Sequence, residues 1–330
     1  MEYWLPLFFV GVMGLALLLY VVLDGYDLGI GLMLPFATEA EKDVMIAAIG
    51  PFWDANETWI VLGVGVLLVA FPGAHGLVLT HLYLPVAFML LGLILRGIAF
   101  DFRVKAGDQQ RRLWNTAFSG GSLLAAVSQG WMLGSYVSGL ENTWLNSLFS
   151  LLIALTLPAL YVMLGSAWLL IKTEGALFAK AVRWARAALL PMGAGLLLTS
   201  IATPLVSETI AAKWFSLPET IGLAPIPLFT IVLYLTIATL LRPKHFPKPG
   251  SEWWIFTALI LICVLAAIGL AYSIFPEIVI DRLGIWEAAA SPASLRFSFI
   301  GTAITLPAIL GYTIFVYSIF RGKATKLSYE

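Results

Sequence analysis

Two aspartates, Asp24 and Asp27, stand three residues apart inside the apolar run LLLYVVLDGYDLGIGLMLPF (17–36). On a helix that spacing puts both carboxylates on one face. GPFWDANETW (50–59) repeats it with Asp54 and Glu57, flanked by Trp53 and Trp59. LILRGIAFDFR (93–103) adds Arg96, Asp101 and Arg103, and GIWEAAASPASLRF (284–297) adds Trp286, Glu287 and Arg296. Crowded carboxylates cannot all ionise near neutral pH. An acid that holds and releases a proton is what a proton relay is made of, and Arg96 would favour the ionised form of whichever acid it touches.

The elements that must position these groups follow from composition. Of 330 residues, 60% are hydrophobic and 12% charged, against roughly a quarter charged in ordinary globular domains. The mean hydropathy is +0.93. The lipid bilayer is the solvent, so each spanning segment must satisfy its own backbone hydrogen bonds. The apolar runs are too long and too unalternating for barrel strands, which leaves helices. Nine runs are predicted to span: 7–33, 55–72, 78–100, 116–138, 144–171, 187–206, 221–241, 253–275 and 297–320. The link at 72–78, PGAHGLV, has the Pro and Gly that suit a tight hairpin. Met1 is followed by an acid and no basic stretch precedes the first run, so no cleavable signal peptide is predicted.

Orientation is read from the cations. With nine spans, one set of loops holds fifteen of the nineteen Lys and Arg, among them Lys42, Arg103, Arg111, Lys180, Lys244, Lys248 and Lys326. The opposite set holds three, Lys213, Arg282 and Arg296, while Arg96 lies within a span. By the positive-inside rule the N-terminus is periplasmic and the C-terminus cytoplasmic. The net charge of zero and the placement of the basic loops leave no case for a nucleic-acid partner. Trp4, Trp144, Trp214, Trp253, Trp254 and Trp286 fall at run ends, where amphipathic rings prefer the headgroup region. LTLPALYVMLGSAW (155–168) and ITLPAILGYTIFVY (304–317) echo each other four spans apart, a hint of a duplicated four-helix unit.

This topology brings the first three charged stretches together near the inner surface. Asp24, Asp27, Asp54, Glu57, Arg96 and Asp101 are expected at similar depth, facing the bundle interior or a wet cavity. A charged side chain at the bilayer centre costs about 2.5–3.5 kcal/mol on insertion scales. A plainer reading stands beside this one. Asp54 and Glu57 would complement a helix dipole, and Asp101 and Arg103 would be solvated at the interface. That reading is the stronger for Glu57, Asp101 and Arg103, and the weaker for Asp24 and Arg96. Gly25, Gly29 and Gly31 read as close-packing positions, and the single cysteine, Cys263, as a small packing residue.

A haem bound wholly by this chain is disfavoured. Of three histidines, His245 is in a cytoplasmic loop, and His75 and His81 flank the outer hairpin. Cysteine-based metal clusters are excluded, and no phosphate loop, zinc spacing or nucleophile–base set appears. No catalytic or metal-binding residue is therefore assigned, and no cofactor-binding residue is named.

VVLDGYDLGIGLMLPF, IGPFWDANETWIVLGVG, LYLPVAFMLLGLILRGIAFDFR, GGSLLAAVSQGWMLGSYV, WEAAASPASLRF and LPAILGYTIFVYSIFRGK, in that order, resemble subunit II of cytochrome bd-type quinol oxidases, most nearly the cyanide-insensitive branch. The similarity runs along essentially the whole chain, 1–330, as one membrane domain. It implies nine helices in two four-helix bundles plus one more, in the bacterial cytoplasmic (inner) membrane. It implies a heterodimer whose haem-bearing subunit I carries b- and d-type haems and oxidises quinol. Dioxygen is reduced to water with cytoplasmic protons, supporting aerobic respiration without pumping. In some family members subunit II holds a structural quinone, and a small accessory subunit is a further potential partner. The family's proton path maps onto Asp24 and Asp54, with Trp53 beside the latter, and onto Arg96 and Asp101. Asp27 and Glu57 are added from their spacing. The competing functional class is a proton-coupled secondary transporter, which many helices, a repeat and buried carboxylates also suit.

Overall fold

A computed structural model describes residues 3–242 and 250–324. Lys244, His245, Lys248 and Lys326 lie outside the described residues. The fold is helical: α1 (Trp4–Met33), α2 (Glu39–Ile49), α3 (Trp53–Ala70), α4 (Pro72–Lys105), α5 (Asp108–Val137), α6 (Trp144–Lys172), α7 (Gly175–Val206), α8 (Glu208–Phe215), α9 (Glu219–Leu223), α10 (Pro225–Leu240), α11 (Glu252–Ile274), α12 (Ile285–Ala288) and α13 (Pro292–Ile319). A small antiparallel hairpin, β1 (Glu277–Val279) with β2 (Leu283–Gly284), sits between α11 and α12.

Among the described residues eight helical stretches are long and apolar enough to cross a membrane. The nine-run reading also counted 116–138. That run lies within α5, a 30-residue helix whose composition falls short of the same mark. Its polarity has a packing cause. α5 lies between α4 and α6 and also packs on α1, so much of its surface faces protein rather than lipid. Ser122, Ser128 and Gln129 are buried along it. A Cβ on Gly121 would come within 2.6 Å of the Gly92 carbonyl of α4, and one on Gly130 within 2.5 Å of Ala154 on α6. Small residues let these backbones approach closely.

Several boundaries differ from the sequence reading. The 72–78 link is not a loop: Phe71 alone separates α3 from α4, and Pro72 opens α4 as a first-turn proline. The break comes later, at Leu82 (φ −104°, ψ 15°). There Pro85 cannot donate to the carbonyl one turn back and the helix kinks. α7 begins at Gly175 rather than 187, since its basic first turns stay helical beyond the apolar run.

α1 is the centre of the molecule, packed against α3, α5, α6 and α11. The packing reading of its glycines holds. A Cβ on Gly29 would lie 1.7 Å from the Tyr161 carbonyl, and one on Gly31 would lie 2.1 Å from Ser122 Oγ. Past α1 the chain turns into α2, started by a capping box in which Thr38 and Glu41 satisfy each other's backbone N–H groups. The acids of α2 reach basic segments from elsewhere: Glu41 meets Lys180 of α7 at 2.5 Å, and Asp43 meets Arg103 of α4 at 2.8 Å and Arg111 of α5 at 4.0 Å. Arg103 is thus buried (4% exposed) and held between Asp43 and Asn115, not solvated as the plainer reading had it.

Candidate functional site

α1, α3 and α4 bring four of the sequence-chosen residues into one buried cluster. Asp24 and Asp27 are completely buried and Arg96 is 1% exposed. Arg96 Nη2 lies 2.6 Å from Asp24 Oδ1 and 2.7 Å from Glu57 Oε2, so one guanidinium nitrogen serves two carboxylates. Glu57 keeps 27% of its side chain exposed and is the open side of this arrangement. A guanidinium is permanently charged, so Arg96 is the fixed cation among three acids.

The other chosen residues stand apart. Asp54 opens α3 and Asp101 lies near the end of α4. Both are exposed, without an ion pair or side-chain hydrogen bond among the described residues. Trp53 is half-buried, its ring 4.7 Å from that of Phe100, so it bridges α3 and α4 beside these acids. The fourth charged stretch is on the other side of the molecule, where Trp286 Nε1 donates to the Tyr3 carbonyl at 3.0 Å.

Neutral polar side chains that the charge-based reading passed over extend the cluster in two directions. Towards α5 and α6, Tyr161 donates to Gln129 Oε1 at 2.6 Å and Gln129 Nε2 donates to the Tyr20 hydroxyl at 2.6 Å. Tyr20 stands one turn before Asp24 on the same face of α1. Towards α13, Asn56 Nδ2 donates to Asp27 Oδ2 at 2.9 Å, and Asn56 contacts Tyr26 and Tyr317. Asn56 was within reach of sequence reasoning, since it sits one residue before Glu57 in WDANETW. Tyr317 was not, because it lies 261 residues from Asn56.

An apolar groove of about 470 Å³ runs along α3 between α1 and α13. Its walls include Phe9, Trp59, Leu62, Val66 and Ile309, with hydroxyls from Thr58, Ser298 and Thr302. These walls carry no charge and fit a hydrocarbon tail.

Comparison with known proteins decides the family. Residues 5–320 match the sequence model of "Cytochrome bd terminal oxidase subunit II". The chain belongs to this family. It is 24% identical over 326 residues to cytochrome bd ubiquinol oxidase subunit 2 of Bacillus subtilis (strain 168), with 93% of each chain covered. It is 25% identical over 365 residues to cytochrome bd-I ubiquinol oxidase subunit 2 of Escherichia coli (strain K12), with 96% of this chain and 94% of that one covered. Its fold resembles a chain of the bd oxidase from Geobacillus thermodenitrificans at a TM-score of 0.73 and 17% identity, covering 97% and 99% of the two chains. As a cytochrome bd subunit II with many apolar spans, the chain is a multi-pass protein of the bacterial inner membrane and a component of an oxidoreductase complex of respiratory electron transport.

Proposed function

We propose that this chain is the haem-free subunit of a bd-type quinol oxidase of the cyanide-insensitive branch. In this reading it scaffolds a haem-bearing subunit I and feeds that subunit protons from the cytoplasm for the reduction of dioxygen to water. Asp54 and Asp101, with Trp53 between their helices, form the surface part of the path. Glu57, Arg96, Asp24 and Asp27 form the buried part.

The observation that carries the reading is the sharing of Arg96 between Asp24 and Glu57. Two carboxylates facing one permanent cation are electrically balanced when they share one proton. With the proton on Glu57, Arg96 compensates Asp24; with the proton on Asp24, it compensates Glu57. Transfer between them keeps these two acids and Arg96 in balance throughout, and Glu57 is the member open to resupply. Asn56 holds Asp27 by a hydrogen bond while this happens.

The same reading gives α5 a membrane crossing. That makes nine spans in two four-helix bundles plus one helix, with a periplasmic N-terminus and a cytoplasmic C-terminus. Its support is the meeting of α2 with basic residues from α4, α5 and α7, which gathers three basic segments at one end of the molecule. Asp54 and Asp101, exposed on membrane helices, are expensive against lipid, which supports a covering partner subunit. The groove along α3 suits the tail of a structural quinone, with the three hydroxyls available to its head group. Quinol oxidation itself is assigned to the partner.

Oxygen consumption by the purified complex tests the path. Asp54→Asn is expected to slow it on the order of a hundredfold while haem absorbance stays normal. Normal turnover in that variant removes the proton-path assignment. The chain expressed alone should show neither haem absorbance nor oxidase activity, and both should return on co-purification with subunit I. Solute uptake by the chain alone in liposomes would favour a transporter instead.

A further inference from the structure

Asn56 is the hub of a second buried polar group, distinct from the shared cation. Its Nδ2 lies 2.8 Å from the Tyr26 hydroxyl, 2.9 Å from Asp27 Oδ2 and 3.3 Å from the Leu23 carbonyl. Its Oδ1 lies 3.0 Å from the Tyr317 hydroxyl, and the Tyr26 and Tyr317 hydroxyls are 2.6 Å apart. Counting protons fixes the directions. Oδ1 only accepts, so the single Tyr317 proton goes to it. The contact between the tyrosines must then be donated by Tyr26. The Tyr26 oxygen is left to accept from Asn56 Nδ2. Each of the three groups donates to the next and accepts from the last, and the second Nδ2 proton is left for Asp27.

Turning the amide over would reverse every bond of this ring. It would also set Oδ1 against the Leu23 carbonyl and the Asp27 carboxylate, oxygen against oxygen, and only the closer contact, with Asp27, would be relieved if that acid brought a proton to donate. The direction of the ring and the protonation of Asp27 are therefore linked. The ring also reaches α13, a helix in which Leu295 is the one buried residue among the described residues.

We infer that Asn56, Tyr26 and Tyr317 are positioning residues for Asp27: their hydrogen-bonded ring couples its own direction, and with it the end of the Asn56 amide that faces that carboxylate, to the acid's protonation, and ties the acid to α13. The inference deepens the proposed proton path and rests on it for any effect on turnover. The other charged or titratable groups facing Asp27 are Asp24 on α1, Glu57 on α3 and Arg96 on α4.

Infrared difference spectra of the resting complex, recorded between two pH values, test this without turnover. The band of interest is the carboxyl or carboxylate stretch that disappears in Asp27→Asn. Tyr317→Phe removes the donor to Asn56 Oδ1 and is expected to shift this band. Tyr26→Phe opens the ring at its other tyrosine and is expected to shift it too, and it suffices should Tyr317→Phe fail to assemble. Tyr312→Phe, on the same helix but 62% exposed, should leave the band in place. An Asp27 band unmoved by the assembled ring variants, or moved equally by Tyr312→Phe, overturns the inference. Failure of the oxidase reading would appear in oxygen consumption and leave these spectra interpretable.

Discussion

Arg96 on α4 and Asp24 on α1 meet at 2.6 Å with 1% and 0% of their side chains exposed. Pairs of this kind are expensive to break one-sidedly, because the remaining charge stays buried without compensation. Arg96→Met should therefore destabilise the complex by about 3–5 kcal/mol. Adding Asp24→Asn should recover part of that loss, since no unpaired carboxylate then remains at that position. Thermal unfolding of the two single variants and the double variant measures the coupling, and strictly additive losses would contradict the pairing.

A methyl group at Gly29 has nowhere to go. Its Cβ would sit 1.7 Å from the Tyr161 carbonyl, which belongs to the backbone of α6 and cannot swing aside. Gly29→Ala should cost more than the 1–3 kcal/mol typical of an overpacked core, lowering both assembly yield and melting temperature. Gly11→Ala, on the same helix with open space around it, is the matched control and should be nearly silent.

Lys172 latches the residues just beyond α13. Its Nζ donates to the carbonyls of Phe320 and Gly322, and it lies 5.2 Å and 5.0 Å from the Phe52 and Trp168 ring centroids. Ala324 N donates back to the Lys172 carbonyl at 2.7 Å. Lys172→Met keeps much of the stem but loses the charge, so the segment beyond α13 should come loose. Trypsin should then cut after Arg321 several times faster than in the parent, as mass spectrometry would record, with α1 to α11 unaffected.

Acid should loosen α2. Partial burial raises the Glu41 carboxyl, but hydrogen bonds from Lys180 and from the Thr38 backbone and hydroxyl outweigh it and hold the group below its ordinary value. Hydrogen bonding from Lys42 likewise lowers Glu39. A folded value below the unfolded one means stability that is fully present above the unfolded value, about 4.3 for Glu. It is lost as the pH falls through the folded value. Because both groups are near the surface, the contribution is below about 1 kcal/mol. Melting temperatures of parent and Glu41→Gln should differ by a constant amount above about pH 5 and converge in more acid solution.

The cluster of Asp24, Asp27, Glu57 and Arg96 was legible because charge inside an apolar run is conspicuous and positive-inside topology puts the three segments at one end. Asp54 and Asp101 were assigned to the same depth by the same logic, but helix phase turned them outward, and phase is set by packing that no spacing rule reports. Gln129, Tyr20, Tyr161 and Tyr317 went unseen for a different reason. Each is unremarkable in its own helix and gains meaning through a partner on another. Arg103 was misjudged because its partner, Asp43, sits on α2, a short helix with a charged first half that a search for apolar runs does not look for.

The glycine contacts on both flanks of α5 bear on biogenesis. A helix that carries Asn115, Ser122, Ser128 and Gln129 gains little by moving from the translocon into hydrocarbon by itself. It becomes acceptable there once α4 and α6 cover it. Lateral release of α5 should therefore wait for α6 to be synthesised, so that the three helices leave the insertion machinery as one unit.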